Sequence, residues 1–416
     1  MRRTDQDTRT PAMREIRRPK RVTLVIAHLG AGGAQRVAAT AANALVEIGI
    51  EVHLIKVFND PADAYAVDPR VHRYSLGAPL RAPKRRKKGS LREVVDSFAS
   101  VVRNSEAYQR ALTVEAFRRP MSVIAFGVEL QRRTHVLRSR LRKIAPDAVL
   151  SFLTQTNILT LVAARGLPIR VVISERNDPA KQHPNLRVVL LRNLLYRRSD
   201  VVTANSTGAI ESLASIVPRE KLALLPNPLN MSNLGAAVSF EAPTFITVTR
   251  LVAQKGIDVL LKAAAIVFAK LPAWRLAIIG DGPLSEELQS LARDLGIASR
   301  VDWLGYCDDP IPYLRAAKFF VLTSRFEGSP NALIEAMACG LASVVSDASP
   351  GPLELIGDDA GLIVPVENDE ATAAAMMALA TDEDLRARLG EAAIKRTEIY
   401  QVDRAIRVWL DLLHVA

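Results

Sequence analysis

The chain has 416 residues, of which 49% are hydrophobic and 24% charged, a balance typical of folded and not of disordered proteins. This length exceeds one ordinary hydrophobic core, so we expect at least two domains. The two cysteines, Cys307 and Cys339, exclude a disulfide framework and a cysteine-based zinc site.

The net charge of +11 is distributed unevenly along the chain. Residues 1–230 contain 39 Lys and Arg against 19 Asp and Glu, whereas residues 231–416 contain 16 against 25. This split predicts two domains with different partners, the basic one facing nucleic acid, anionic lipid or a phosphorylated acceptor. A solvated basic surface without a partner is the alternative interpretation.

Residues 1–20 are basic and polar and lack the apolar centre of a secretory signal, so we expect a disordered basic tail. No apolar run reaches the length that spans a bilayer. We therefore expect a cytoplasmic protein that can attach peripherally to the inner face of the plasma membrane.

An α/β pattern begins at residue 21. Residues 21–27 predict a buried strand that opens into a glycine-rich turn at residues 28–33. A helix over residues 34–48 and a strand over residues 51–57 follow, and further strands are predicted over residues 148–153, 170–174 and 200–204. This order is typical of a doubly wound sheet, and we expect a Rossmann-like N-terminal domain to extend to residue 228.

A basic segment interrupts this pattern. Residues 81–143 contain 17 Lys and Arg against 5 Asp and Glu, and within them we expect a basic helical insertion over residues 81–120. The run of five bases at residues 84–88 precedes a capping box at Ser90, which predicts the start of an amphipathic helix. Its apolar face could lie on an anionic membrane or pack on the first domain.

A second α/β pattern follows the proline-punctuated linker at residues 225–229. We expect a second Rossmann-like domain over residues 229–399, with a cleft between the two domains. Residues 400–416 predict an amphipathic helix that can pack back on the first domain. The predicted strands of this half are residues 245–249, 275–280, 319–323, 343–346 and 362–364.

The segment EGSPNALIE at residues 327–335 carries the strongest chemical signal. Two carboxylates, Glu327 and Glu335, bracket a helix start whose free N–H groups form an anion site. Carboxylates accept hydrogen bonds from sugar hydroxyls, so this arrangement suits a nucleotide sugar. The alternative is a helix with an acidic start and a solvent-facing Glu335.

A second signal is the loop at residues 250–256, which directly follows a strand. Its cations Arg250 and Lys255 suit a diphosphate, although two surface bases would give the same sequence. The turn at residues 30–33, followed by Arg36, is typical of a phosphate-binding turn but weak evidence by itself. The chain has no Walker loop, no full dinucleotide fingerprint and no serine nucleophile elbow.

These motifs together resemble the retaining GT-B glycosyltransferases of the glycogen-synthase-like family 4. The resemblance rests on Arg250, Lys255, the turn GDGP at residues 280–283 and residues 327–340. It implies an α/β fold of two Rossmann-like domains facing a central cleft, with the N-terminal domain on the acceptor side. It also implies a nucleotide-sugar donor, most commonly a UDP-sugar, and no metal ion or other cofactor.

The segments at residues 32–36, 173–178 and 346–354 are similar to those of bacterial members that extend lipid-linked oligosaccharides or capsular and exopolysaccharide units. The expected acceptor is therefore a lipid-diphosphate-linked glycan or a polysaccharide, at an anionic membrane surface. The sequence departs from the pattern at three positions, where Glu, Phe and Cys are common: Gln35, Ser329 and Ala348.

The resemblance also implies roles for individual residues. Arg250 and Lys255 would neutralise the leaving diphosphate, Glu327 would hold the donor sugar and Glu335 the ribose. The phosphate would meet the helix start, the two glycines would approach it from the first domain, and an aromatic and a thiol would lie near the nucleobase. These further binding residues are Ser329, Pro330, Asn331, Ala332, Leu333, Gly32, Gly33, Tyr306 and Cys307.

Three other functions stay open from the sequence. A nucleotide-sugar epimerase of GT-B fold would need acid/base residues, for which Glu175 and His183 are candidates. A basic nucleic-acid-binding protein is the second, but the chain has no recognition motif and only 5% aromatic residues for stacking, so we expect no nucleic-acid partner. A degenerate, non-catalytic relative of the family is the third.

Overall fold

The computed structural model describes residues 18–30, 32–58, 63–77, 120–177, 186–229, 231 and 238–414. The expectations for the tail before residue 18, for the basic insertion before residue 120 and for His183 fall outside these residues.

The first sheet has seven parallel strands in the order β3-β2-β1-β4-β5-β6-β7. The strands are β1 Arg21–Ile26, β2 Glu51–Lys56, β3 His72–Ser75, β4 Ala148–Phe152, β5 Arg170–Glu175, β6 Val201–Ala204 and β7 Leu222–Leu224. The helices that connect them are α1 Gly33–Glu47, α2 Pro120–Ile144, α3 Thr154–Ala164, α4 Leu186–Leu195 and α5 Thr207–Ala214. We call this sheet with its helices the N-terminal unit.

The second sheet has six parallel strands in the order β10-β9-β8-β11-β12-β13. The strands are β8 Thr244–Val248, β9 Arg275–Ile279, β10 Val301–Gly305, β11 Phe319–Leu322, β12 Ser343–Ser346 and β13 Gly361–Val364. Its helices are α6 Ile257–Lys270, α7 Ser285–Asp294, α8 Ile311–Ala316, α9 Asn331–Ala338, α10 Pro350–Ile356, α11 Asp369–Thr381 and α12 Glu383–Thr397. This sheet and its helices are the C-terminal unit.

Each sheet is buried on both faces between helices, which is why its central strands are apolar runs without alternation. In β1, Val22, Leu24 and Ile26 pack on one core with α1, whereas Val25 packs on the opposite core with α2 and α3. The predicted α/β fold class is therefore confirmed, with the predicted strands found within about two residues of their expected ends.

The final helix, α13 Val402–Leu413, crosses back to the N-terminal unit. Trp409 is fully buried there, and its indole Nε1–H donates to the carbonyl of Pro226 at 2.9 Å. The linker is tied down on its other side, since the Leu229 N–H donates to the carbonyl of Tyr400 at 2.6 Å. The chain thus crosses between the two units twice at one place, beside the cleft.

Among the described residues, no helix combines the length and the apolar character that a membrane span requires.

Candidate active site

The position of the site follows from the order of the strands. In each sheet the first strand has a later strand on either side, since β1 lies between β2 and β4 and β8 lies between β9 and β11. Ligands of doubly wound sheets bind outside the carboxyl end of the strands at such a reversal point. The turn after β1 and the helix α9 meet there, because the Asn331 side-chain N–H donates to the carbonyl of Gly33 at 3.3 Å.

The predicted cation and carboxylate of the C-terminal unit are direct partners. Lys255 Nζ lies 2.5 Å from Glu327 Oε1, and the Ser324 hydroxyl donates to the same oxygen at 2.7 Å. The ammonium comes from a single 3-10 turn that ends at Gly256, whose φ of 62° lies in the left-handed region. A Cβ at Gly256 would stand 2.1 Å from the Thr323 carbonyl, so glycine is required to bring this turn against the strand.

Arg250 lies on the same loop but has a different environment. Its side chain is exposed, and no carboxylate among the described residues pairs with it. The loop is held by the neighbouring GDGP turn, because the Leu251 N–H donates to the carbonyl of Asp281 at 2.9 Å. A Cβ at Gly280 would stand 1.7 Å from the Thr249 carbonyl. Arg250 is therefore an exposed cation on a loop that the neighbouring turn holds at the carboxyl end of β8.

Glu335 is buried, so the interpretation of a solvent-facing carboxylate was wrong. Its residue is only 2% exposed, and its Oε1 lies 2.8 Å from Arg36 Nη1 of the N-terminal unit. Burial raises the pKa of this carboxyl, and the Arg36 guanidinium opposes the rise. Its second oxygen, Oε2, is buried without a hydrogen-bond partner. A buried acceptor without a donor is costly, which favours a ligand that donates to it.

The start of α9 leaves specific groups for an anion. Pro330 has no N–H, and the Leu333 N–H already donates to the carbonyl of Pro330 at 3.1 Å. The amides of Asn331 and Ala332 therefore remain, together with the buried Ser329 hydroxyl, which has no partner. These three groups are the ones that this helix start leaves for a ligand, and the Leu333 side chain is wholly buried in the core.

The N-terminal unit contributes backbone from its glycine turn. The Gly32 N–H donates to the Tyr65 hydroxyl at 3.0 Å, and a Cβ at Gly32 would stand 2.3 Å from Gln35 Oε1. Tyr306 faces the same region with a half-exposed ring. Partial burial and a hydrogen bond with Asp308 raise its pKa to about 12, and Tyr65 adds to the rise. The thiol of the adjacent Cys307 donates to the carbonyl of Asp309 at 3.2 Å.

The sequence did not reveal a hydrogen-bond chain that joins the two units beneath the cleft. Arg176 Nη1 donates to Asn227 Oδ1 at 2.6 Å, and Asn227 Nδ2 donates to Asn331 Oδ1 at 2.6 Å. Arg176 is buried without a carboxylate, and burial lowers its pKa to about 9. The available signal was Asn227 itself, a polar residue between two prolines at the linker.

A further contact joins the two units. The Glu354 carboxylate on α10 accepts from the N–H groups of Thr207 at 2.9 Å and Gly208 at 3.0 Å, at the start of α5. A carboxylate at the positive end of a helix dipole is stabilising. Gly351 lies nearby, where a Cβ would stand 1.6 Å from the Gly328 carbonyl.

Glu175, a candidate acid/base residue for an epimerase, belongs to a buried network. It accepts from the Tyr196 hydroxyl and from Thr154 Oγ1 at 2.9 Å, and burial raises its pKa. Asn157 Nδ2 donates to the Tyr196 oxygen at 3.1 Å. The carboxylate is thus engaged by side chains of its own unit, which is typical of a structural group.

Away from the cleft, one group of described residues has ligand atoms close enough for a metal ion, with Glu51, His53 and His72 within 4.8 Å of one another. These atoms already bind each other and their neighbours. His53 Nε2 lies 2.8 Å from Glu51 Oε1, and His53 Nδ1 lies 3.2 Å from the Tyr74 hydroxyl. Because Glu51 also pairs with Arg21 at 2.8 Å, we assign no metal to this group.

Two family models match the chain. The one described as "Glycosyl transferase 4-like domain" matches residues 32–228, and the one described as "Glycosyl transferases group 1" matches residues 238–396. They correspond to the N-terminal and the C-terminal unit.

Two curated proteins of Campylobacter jejuni are similar to most of the chain. The N-acetylgalactosamine-N,N'-diacetylbacillosaminyl-diphospho-undecaprenol 4-alpha-N-acetylgalactosaminyltransferase is 27% identical over 395 residues, 92% of this chain and 96% of that protein. The GalNAc-alpha-(1->4)-GalNAc-alpha-(1->3)-diNAcBac-PP-undecaprenol alpha-1,4-N-acetyl-D-galactosaminyltransferase is 29% identical over 68% of this chain and 78% of its own length.

Solved structures share the fold. The apo form of the lipopolysaccharide outer core galactosyltransferase WaaB has a TM-score of 0.65 at 17% identity, covering 94% of this chain and 98% of that one. Anabaena HepE in complex with UDP and glucose has a TM-score of 0.71 at 16% identity, covering 94% and 99%. The chain folds into two doubly wound units that meet at their reversal points, and the two family models match one unit each. The chain therefore belongs to the glycosyltransferase group 1 family and has its GT-B fold.

Proposed function

We propose that this glycosyltransferase moves a sugar, with retention of anomeric configuration, from a nucleotide-diphosphate sugar to a lipid-diphosphate-linked or polysaccharide acceptor in bacterial surface glycan synthesis. The observation that carries the donor assignment is the pair of unpartnered buried groups, Ser329 Oγ just before α9 and Glu335 Oε2 in its second turn. The Ser329 hydroxyl can donate to a phosphate oxygen, and Glu335 Oε2 can accept from a ribose hydroxyl. Both lie where the two units meet.

A UDP-sugar is the donor that we propose. HepE, which shares this fold, is in complex with UDP in one structure and with UDP-glucose in another. The two Campylobacter relatives are by name N-acetylgalactosaminyltransferases that act on undecaprenol-linked glycans. Their names support a lipid-linked acceptor here. In this proposal residues 21–228 bind the acceptor, and residues 229–399 bind the donor.

The ion pair between Lys255 and Glu327 suggests how the negative charge on the leaving group is stabilised. Breaking the bond between the anomeric carbon and phosphate develops negative charge on the diphosphate, which preorganised cations stabilise. In the proposed mechanism Lys255 and Arg250 supply that stabilisation, together with the N–H groups at the start of α9. Glu327 orients Lys255 and accepts from a hydroxyl of the donor sugar. The acceptor attacks on the face that the phosphate leaves, and the departing phosphate takes its proton.

We also propose peripheral attachment of the N-terminal unit to anionic membrane. Support comes from the charge excess of residues 1–230 and from α2, which carries Arg132, Arg140, Arg142 and Lys143. Cosedimentation with vesicles should require anionic lipid, weaken with salt and fall when the bases at residues 84–88 are neutralised. Equal binding to neutral vesicles would refute the electrostatic attachment.

The test of the proposed function is product formation. The protein is incubated with a panel of UDP- and GDP-sugars and a membrane lipid extract, and nucleotide release is measured with and without the extract. We expect release that depends on the lipid extract with a UDP-sugar, and NMR of the product should show the anomeric configuration of the donor. Conversion of one nucleotide sugar into its epimer, an inverted product or no release with any donor would contradict the proposal.

A further inference from the structure

Arg36 is a cation of the N-terminal unit that lies inside the expected donor site. It is on the first turn of α1, three residues after Gly33, and its Nη1 is 2.8 Å from Glu335 Oε1. The Arg36 side chain is 28% exposed, whereas that of Glu335 is 3% exposed. Arg36 is therefore the partner with access to solvent, and the one that can move while the Glu335 carboxylate stays in place.

The carboxylate is only half used by this contact. Arg36 takes Glu335 Oε1, and Oε2 stays buried without a donor. Two neighbouring ribose hydroxyls would need both oxygens as acceptors. The Glu335 carboxylate can thus bind either Arg36 through Oε1 or two ribose hydroxyls through both oxygens.

The space beside the carboxylate is too small for a nucleoside. A cavity of about 50 Å³ lies there, lined by residues of both units that include Arg36, Thr40, Asn227, Asn331 and Glu335. A volume of this size holds a few waters but not a furanose ring. Arg36 forms one of its walls and occupies Glu335 Oε1, so a ribose that binds both oxygens of Glu335 must displace the guanidinium.

An alternative anion for Arg36 is expected nearby. The proposed diphosphate lies against Gly32 and Gly33, at the start of the helix that carries Arg36. A guanidinium can bind two phosphate oxygens at once, and the aliphatic part of the arginine side chain lets it change position. A short side-chain rotation on α1 would exchange a carboxylate partner for a phosphate partner.

We propose that Arg36 is a specificity-determining residue that closes the ribose subsite on Glu335 when no donor is bound, and transfers to the diphosphate when the donor enters. This inference rests on the proposed function, since it takes Glu335 as the ribose ligand. A nucleoside must break the ion pair and offers no new anion in return, whereas a nucleoside diphosphate breaks it and replaces it. The exchange makes binding conditional on the diphosphate.

The inference predicts effects of opposite sign from one substitution. In Arg36→Ala, the affinity for a nucleoside should rise about tenfold or more, and the affinity for the nucleoside diphosphate should fall by a similar factor, as expected for the loss of one hydrogen bond between charged groups. Isothermal titration calorimetry with uridine, UDP, guanosine and GDP measures both. Arg36→Gln, which keeps a polar side chain of shorter reach and removes the charge, should shift both affinities in the same directions if the alanine variant folds poorly.

The matched control is Arg275→Ala. Arg275 Nη2 lies 2.5 Å from Asp302 Oδ1 with a side chain 32% exposed, and this pair is on the β9–β10 edge of the second sheet. Its loss should leave all four affinities unchanged. If Arg36→Ala weakens nucleoside and nucleoside diphosphate equally, or changes neither, the exchange is wrong while the proposed function stands. A wild-type protein that binds neither UDP nor GDP would overturn both.

Discussion

The two units satisfy several of their arginines and lysines in different ways. In the N-terminal unit, Arg133 Nη1 donates to the Val57 carbonyl at 2.7 Å with its guanidinium 4.0 Å from the Phe58 ring, and Arg138 donates to the Ala163 carbonyl at 2.8 Å. In the C-terminal unit, three partly buried cations pair with carboxylates instead, namely Lys255 with Glu327, Arg275 with Asp302 and Arg325 with Asp258.

This contrast follows from composition. The first 230 residues contain 39 bases against 19 carboxylates, so ion pairs such as Lys56 with Asp63 and Arg219 with Glu211 leave much of the positive charge unbalanced. Carbonyls and aromatic rings bind some of the other guanidinium groups. The N-terminal half therefore keeps an excess of positive charge. In the C-terminal half carboxylates outnumber bases, so carboxylate partners are available for the cations named above.

The largest expected effect tests the catalytic side of this comparison. Lys255→Ala and Arg250→Ala should each lower kcat on the order of a hundredfold or more, because each removes a cation that stabilises the leaving diphosphate. Arg138→Ala is the matched control, since it removes a cation of the N-terminal unit whose hydrogen bonds to described residues are with the carbonyls of Ala163 and Arg165, and kcat should stay within about twofold. Steady-state kinetics decide the matter, and wild-type kcat in both cation variants would overturn the assignment.

A smaller effect is expected at the ribose position. Glu335→Ala should raise the donor KM about tenfold or more with little change in kcat, because the group binds the donor away from the reacting atoms. Glu335→Gln keeps one acceptor oxygen and should lie between alanine and wild type. A fall in kcat as large as the rise in KM would place Glu335 at the reaction centre.

The contact between the units should contribute modestly to stability. Glu354→Ala leaves the Thr207 and Gly208 N–H groups without their acceptor, so the free energy of unfolding should fall by about 1 kcal/mol, as when a helix cap is lost. Urea denaturation measures this change. Glu211→Ala on the same helix α5 breaks an exposed pair with Arg219 and should have no measurable effect. Equal stability of the two variants would show that Glu354 is not a tie between the units.

Removal of divalent metal ions should have no effect on the transfer rate, which is the smallest of the expected effects. If lysine, arginine and a helix start neutralise the diphosphate, the transfer rate should survive EDTA. A rate that collapses on chelation and returns with magnesium or manganese would show that these groups are insufficient.

The strands of both sheet centres were predictable because they are continuous apolar runs bounded by glycine and proline. Three strands were missed: β3, β7 and β10. The first is a largely exposed edge strand of mostly polar residues, and the second has only three residues, so its short apolar run merges with the start of the linker. The final helix was expected from about residue 400, but it begins at Val402 because Gln401 is held extended by its bridge to Leu229.

The sequence by itself determined the fold class, the glycine turns and the residue types at the candidate site, because each depends on local periodicity or on backbone freedom. Only the tertiary structure decided which groups are partners. That Lys255 meets Glu327, that Arg36 covers Glu335 and that Asn227 links the units depends on contacts between residues 72, 299 and 104 positions apart. Burial, which turns a carboxylate with one free oxygen into a binding site, arises only when the two units pack together, and no local pattern encodes it.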